Sequence, residues 1–486
     1  MSIHQLSASE INEKFLDKTF SAEEITHHFL SRIHQMDEKV GSFISIAEEK
    51  ALKKAIDLDK RLAAGDKMGK LAAVPIGIKD NIHVEGLYTT CGSKFLKNFK
   101  APFNSTVVER FLNEDAIIIG KTNLDEFAMG SSTEHSAYKV THNPWNLACT
   151  PGGSSGGSAA CVAARFAPIT LGSDTGGSIR QPGSLCGVVG FKPTYGMVSR
   201  WGLVAYGSSL DVIGPLTTNV KDSALVMDVI AGHDTKDATS IPESNYQFLK
   251  GLDTPPAPFK VGVPWHFLEQ LADEPKQLFL DSIEKLKRMG AEIVEIDLDI
   301  MEHSLEVYYI IATAEASTNL ARFDGIRYGI RDETATTLDE IYNLSKEHGY
   351  GEEVKRRIML GTFVLSSGHK NAFYRKAQKI RTLMIEKFNQ AFRICDLIAT
   401  PVSPFGAFEL GSIKDPIQMY LEDIYTIGAN LAGIPGISVP AAFTSENKPM
   451  GLQLLGPHKS DPYILKMAYH FEQACKLNPK MPEWVL

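Results

Sequence analysis

The sequence lacks the features that define several broad classes of protein. No run approaches the roughly twenty apolar residues of a membrane-spanning helix. The opening stretch Ser2-Ile3-His4-Gln5-Leu6-Ser7 is polar, unlike a secretory leader. The six cysteines, Cys91, Cys149, Cys161, Cys186, Cys395 and Cys475, include no C-x-x-C pair. Neither a zinc site nor a disulfide framework is therefore indicated, and no metal ligand set is expected. Internal repeats and low-complexity tracts are absent. Basic residues do not predominate: 50 Lys and Arg stand against 58 Asp and Glu, a formal net charge of -8. That balance gives no broad attraction to nucleic acid. The expected location is the cytoplasm, with no membrane association.

What is present is enough chain, 486 residues, for one large α/β domain or two smaller ones. Ser21-Ala22-Glu23-Glu24 is a capping box that opens a helix, with Ile25, Phe29, Ile33 and Met36 as its buried stripe. A second helix is predicted over 46–64, stopped at Gly65. Residues 1–65 thus read as a helical arm packed on the core. Beyond it, short apolar runs alternate with helical patterns: 116–119, 168–171, 188–191, 260–263, 293–296, 396–400, 436–439 and 451–455. Runs this apolar predict strands covered on both faces, hence a mixed, mainly parallel central sheet with helices on each side. The segment 234–258 is polar and proline-bearing and reads as a long surface connection. Residues 305–392 read as mostly helical, a cap over the rest.

Two glycine-serine loops lie close together: Gly152-Gly153-Ser154-Ser155-Gly156-Gly157-Ser158 and Asp174-Thr175-Gly176-Gly177-Ser178. Upstream, Lys79 closes Val74-Pro75-Ile76-Gly77-Ile78, which reads as a buried strand entering a loop. A lysine at such a strand end is partly desolvated, which lowers its pKa and leaves an amine able to accept a proton. The alternative is a surface pair between Lys79 and Asp80. Glycines allow backbone amides to approach an oxyanion closely. Ser178 then reads as a nucleophile beside an oxyanion hole built from Thr175, Gly176 and Gly177. The alternative is an ordinary turn, against which the presence of two such loops, each after a strand-like segment, weighs.

Other motifs fit less well. Gly152-Gly153-Ser154-Ser155-Gly156 matches G-x-S-x-G, but an α/β-hydrolase also needs a downstream acid and histidine near strand ends. His369 and His458 lack that setting. The P-loop form G-x-x-x-x-G-K-[ST] is absent, and no G-x-G-x-x-G opens a helix after the first strand.

Thr150-Pro151-Gly152-Gly153-Ser154-Ser155-Gly156-Gly157-Ser158-Ala159-Ala160, continuing through Leu171-Gly172-Ser173-Asp174-Thr175-Gly176-Gly177-Ser178-Ile179-Arg180-Gln181-Pro182, resembles the amidase signature, a long and specific motif. The resemblance implies one amidase signature domain over 66–486 and a Ser-cisSer-Lys triad. Ser178 matches the nucleophile, Ser154 the bridging serine after a cis peptide bond, and Lys79 the base. Gly183 stands where alanine is common in the family, and Cys149 and Cys161 flank the first loop.

Within that family the chain is similar to the glutamine-hydrolysing subunits of tRNA-dependent amidotransferases. The segments 120–130, 322–329, 355–358 and 430–436 carry this likeness. It implies that Tyr308, Arg357 and Asp423 hold free glutamine, with Tyr309 adjacent to the first. Arginine pairs bidentately with an α-carboxylate and aspartate takes the α-ammonium. Read without the resemblance, Arg357 is a solvated helix charge beside Lys355 and Arg356. The resemblance further implies ammonia supply for converting Glu-tRNA(Gln) to Gln-tRNA(Gln), and for Asp-tRNA(Asn) in some cells. It implies a heterotrimer with two further subunits, designated B and C. The first of these uses ATP and Mg2+, and the tRNA is held mainly by that partner. This chain itself is expected to carry no cofactor. Two other readings stay open: a stand-alone amidase of the same family acting on aryl or aliphatic amides, and a non-enzymatic chain whose loops hold a phosphate.

Overall fold

The computed structural model describes residues 2–243, 245–269, 271–477 and 480–485. Among them, eleven strands form one sheet in the spatial order β1-β3-β2-β4-β6-β5-β10-β11-β9-β7-β8. Their ranges are Phe43–Ile46 (β1), Pro75–Lys79 (β2), Ile117–Thr122 (β3), Ile169–Asp174 (β4), Val189–Lys192 (β5) and Val212–Thr217 (β6). Phe259–Val263 (β7), Ala291–Glu295 (β8), Leu397–Pro401 (β9), Gly436–Phe443 (β10) and Pro449–Leu455 (β11) complete it. Every residue of β2, β3, β4, β5, β6 and β9 is buried. Such strands are covered on both faces, which is why they read as unbroken apolar runs.

The sheet is mixed, as the alternation of elements predicts, but it is not mainly parallel: four strand pairs are parallel and six antiparallel among the described residues. Its parallel pairing is confined to two blocks, β3-β2-β4 and β9-β7-β8. The pairs between and beside these blocks, from β1 to β3 and from β4 through β9, are antiparallel. In the first block β2 is the middle strand, so Lys79 and Asp174 emerge at the same, carboxyl end of neighbouring strands. That end of a parallel block is where open α/β sheets bind their ligands.

Two strands have no counterpart in the sequence reading. In β6, Val212-Ile213-Gly214-Pro215-Leu216-Thr217 carries glycine and proline mid-strand, a composition that reads as a turn. β1 is a four-residue edge strand whose last residue, Ile46, stands where the helix expected over 46–64 would start; that helix begins at Glu48. The segment 1–65 therefore adds a strand to the sheet as well as helices. The Ser21 capping box forms, and Gly65 closes the helix Glu48–Ala64 in a left-handed conformation.

Between 304 and 391 the chain is largely helical, in Ser304–Asn319, Leu338–Gly349, Glu352–Leu365 and Tyr374–Ala391. These helices close over a second apolar cluster that includes Phe95, Phe127, Tyr206, Tyr308, Tyr309, Phe323 and Tyr350. The main cluster lies against the sheet and the N-terminal helices. Among the described residues no helix is long and apolar enough to cross a membrane.

Candidate active site

Lys79 ends β2 with no exposed surface. Its Nζ lies 2.8 Å from Ser154 Oγ, 2.8 Å from Ser155 Oγ, 3.0 Å from Ser173 Oγ and 3.3 Å from the Ser173 carbonyl. Burial pushes its pKa from the ordinary lysine value down to about 7, against the opposing pull of Asp125, Asp174 and Asp211. The surface pairing with Asp80 does not form: Asp80 is itself buried and binds Lys121 at 2.8 Å. The Gly153–Ser154 peptide bond is cis. Gly153 N–H donates to Gln181 Oε1 at 2.9 Å, and Ser155 N–H donates to the Ser178 carbonyl at 3.2 Å. The two glycine-serine loops are thus joined back to back. The first does not follow a strand, contrary to the expectation from its flanking sequence, but leads straight into the helix Gly156–Ala163.

Ser178, 8 % exposed, keeps contact with solvent while Lys79 and Ser154 have none. Its loop is held from beneath by a fully buried ion pair, Arg180 Nη2 to Asp174 Oδ1 at 3.0 Å. Arg180 also donates to Thr426 O, Gln453 Oε1 and Asn430 Oδ1 at 2.7–2.8 Å. Burial opposes the Asp174 charge, yet Arg180 holds its carboxyl below the usual range. Thr175 Oγ1 donates to Asp211 Oδ1 at 2.7 Å. Two glycines are required here sterically. A Cβ on Gly176 would stand 2.7 Å from Tyr308 Cζ. One on Gly177, at φ +154°, would stand 2.2 Å from Thr426 Oγ1 and 3.0 Å from Asp423 Oδ1. These contacts bring Tyr308 and Asp423 against the strip of backbone that carries Ser178.

Asp423 is buried, and Ser131 donates to its Oδ2 at 2.6 Å. Its Oδ1 has no hydrogen-bond partner among the described residues. Burial raises this carboxyl to about 7, with the Ser131 hydrogen bond opposing. A buried carboxylate oxygen left unpaired is costly, so it marks a position where a cation is wanted. Arg357, only 3 % exposed, is far from the solvated helix charge that its neighbours suggest. Its Nε donates to Glu353 Oε1 at 2.8 Å and its Nη1 to Tyr206 Oη at 2.8 Å. Three rings, of Tyr206, Tyr309 and Tyr420, surround the guanidinium at 5.2–5.7 Å. Burial opposes the charge, and the tyrosine oxygens and Glu353 more than compensate. Tyr420 donates to the same Glu353 oxygen at 2.9 Å.

All nine residues singled out in the sequence lie in this one region. Tyr308 faces Gly176, while Tyr309 stacks on Tyr420 with ring centroids 4.0 Å apart and turns toward Arg357. Sequence reasoning missed Ser131, Tyr206, Glu353, Gln181 and Thr426. Ser131, Tyr206, Gln181 and Thr426 act through hydrogen bonds to distant segments of the chain, which no local pattern announces. Glu353 alone left a signal, its i to i+4 spacing from Arg357.

A buried amine joined to a serine after a cis bond, beside a glycine loop bearing a second serine, is the arrangement expected of an amidase. The family model described as Amidase matches residues 24–465, and the chain belongs to this family. It is 60% identical over 483 residues to the glutamyl-tRNA(Gln) amidotransferase subunit designated A of Protochlamydia amoebophila (strain UWE25), covering 99% of each chain. Its identity to the protein of the same name from Chlamydia abortus (strain DSM 27085 / S26/3) is 52%, over 97% of this chain and 96% of that one. Among solved structures, the glutamyl-tRNA(Gln) amidotransferase subunit of the same designation from Thermotoga maritima superposes with a TM-score of 0.82 at 39% identity, over 99% of this chain and 98% of that one.

Proposed function

We propose that this chain is the glutaminase subunit of a glutamyl-tRNA(Gln) amidotransferase, with Ser178, Ser154 and Lys79 as its triad. Neutral Lys79 accepts a proton from Ser154 as Ser154 takes one from Ser178. Ser178 Oγ attacks the side-chain amide carbon of glutamine, and the tetrahedral oxyanion is met by the N–H groups of Thr175, Gly176 and Gly177. The C–N bond breaks, the relay returns its proton to the departing nitrogen, and ammonia leaves a glutamyl ester on Ser178. Water, deprotonated along the same relay, attacks the ester and releases glutamate.

The observation that carries glutamine over a simple amide is the unpaired Asp423 Oδ1 beside Gly177. It supports capture of an α-ammonium next to the nucleophile. Arg357, held by Glu353 and Tyr206, supplies the α-carboxylate partner, and Tyr308 closes the wall between them. On this reading the ammonia passes to a partner that uses ATP and Mg2+ to activate the tRNA-borne glutamate and supplies most of the tRNA contacts. A third, smaller component of the heterotrimer joins the two. The work takes place in the cytoplasm.

The test is amidation of Glu-tRNA(Gln) by this chain copurified with its partner subunits. Glutamine is expected to support the reaction, and Ser178→Ala to abolish it while ammonium chloride still does. Glutamine-dependent amidation surviving in Ser178→Ala overturns the reading. Rapid hydrolysis of aryl amides by the isolated chain, with glutamine a poor substrate, turns it into a stand-alone amidase.

A further inference from the structure

Glu126 lies outside the triad and outside the set of side chains that would touch glutamine, yet it is buried, 3 % exposed, and fully engaged. Its Oε2 accepts the Gly351 N–H at 2.8 Å and its Oε1 accepts the Ser93 hydroxyl. Gly351 is the N-cap of the helix Glu352–Leu365, and it offers no side-chain cap of its own. A carboxylate placed there both satisfies an orphan N–H and complements the positive end of the helix. Two residues on stands Glu353, and four beyond that Arg357.

The same helix is fixed at a second point. A Cβ on Gly361 would stand 1.9 Å from the Thr313 carbonyl, so the helix crosses Ser304–Asn319 in direct backbone contact. Arg357 lies between these two mounts. With the crossing as pivot, the Glu126 contact sets where the N-terminal half of the helix points. The turn that presents Glu126 is itself constrained. Phe127 and Ala128 sit at φ 50° and 62°, and the Phe127 ring packs edge-on against Tyr350, 5.7 Å away. Tyr350 in turn stacks on Phe95 at 4.7 Å. On the other side of this turn, Asp125 accepts Thr133 N–H at 2.8 Å and His135 N–H at 3.2 Å. It thereby fixes the loop from which Ser131 reaches Asp423.

We propose that Glu126 is a positioning residue for the amino-acid clamp, holding the N-terminal end of the Arg357 helix so that the guanidinium and Asp423 stay at the separation of an α-carboxylate and an α-ammonium. This rests on the glutamine reading above. Burial raises the Glu126 carboxyl to about 7, with Ser93, Gly351, Lys355 and Lys94 opposing.

The experiment uses the complex with partner subunits and compares wild type, Glu126→Ala, Glu126→Gln and Arg357→Ala. Glutamine kinetics are read beside the rate at which a fluorophosphonate, which carries no α-amino-acid group, labels Ser178. Glu126→Ala is expected to raise the glutamine KM by about tenfold or more while kcat falls by less than about threefold. Glu126→Gln, which keeps one acceptor, is expected to fall between it and wild type. Labelling should be unchanged in both Glu126 variants. An unchanged KM in both, with KM raised in Arg357→Ala, overturns the Glu126 proposal alone. An unchanged KM in Arg357→Ala as well overturns the glutamine clamp. Labelling that falls in step with turnover makes Glu126 general scaffolding and also overturns the proposal.

Discussion

Lys79 Nζ and Ser154 Oγ are hydrogen-bonded at 2.8 Å, and neither side chain has any exposed surface. An ammonium in that position would have lost its water shell in exchange for hydroxyls and one carbonyl, with no carboxylate among the described residues in hydrogen-bond contact. Desolvation therefore outweighs the more distant aspartates, and the amine is poised to be neutral.

Lys79→Ala removes that amine. Glutaminase activity should fall by roughly a thousandfold or more, the scale of a lost general base. Circular dichroism should still report a folded chain, since the neighbouring hydroxyls can bond one another and the Ser173 carbonyl. Near-normal turnover at neutral pH in this variant contradicts the assignment.

The pH dependence follows from the same burial. On the proposed mechanism Lys79 is needed neutral and Asp423 ionised, and burial shifts each to about 7. Glutamine kcat/KM should therefore rise with pH through about 7 with a two-proton slope, because it reports the free enzyme. Bound substrate holds Asp423 ionised, so kcat should rise with a one-proton slope. In Asp423→Asn the kcat/KM slope should drop to one. For Lys79 the sign for stability is the same: the unfolded chain keeps its proton to near the ordinary lysine value, so between about 7 and that value stability gains from rising pH, whereas the raised Asp423 carboxyl costs stability as pH rises toward about 7. A flat profile from pH 6 to 8 contradicts both assignments.

Arg357→Ala and Asp423→Asn should each raise the glutamine KM by about tenfold to a hundredfold, the loss of one charge-assisted contact. Hydroxylamine attack on an acyl-enzyme already formed should be far less affected. Steady-state kinetics beside a hydroxamate assay separates the two effects.

Arg180→Ala leaves Asp174 charged and buried with its main partner gone. Breaking such a pair costs about 3–5 kcal/mol. The urea midpoint should fall accordingly, and activity with it, because the Ser178 loop rests on this pair. A midpoint within experimental error of wild type contradicts the role given to the pair.

Part of this was legible in the chain. Lys79 declared itself because a lysine closing an all-apolar strand has few ways to stay solvated. The two loops declared themselves because their glycines are needed where backbone meets side chain. β6 was hidden by Gly214 and Pro215, which weaken a strand locally but are overridden by pairing on both sides. Arg357 was misread without the resemblance because its basic neighbours share the helix but not the face. Only the burial of Val354 and Arg357, against the exposure of Arg356 and Met359, reveals the inward side. Ser131, Tyr206 and Glu126 could not be found at all, since what they do depends on contacts made across 151 to 292 residues of chain.

The most direct test of the whole reading is peptide mass spectrometry of enzyme quenched with acid during steady-state glutamine turnover. A glutamyl ester confined to the peptide bearing Ser178, absent in Ser178→Ala and in Lys79→Ala, is the predicted result. A glutamyl adduct on another residue, or unimpaired turnover in Ser178→Ala, would contradict it.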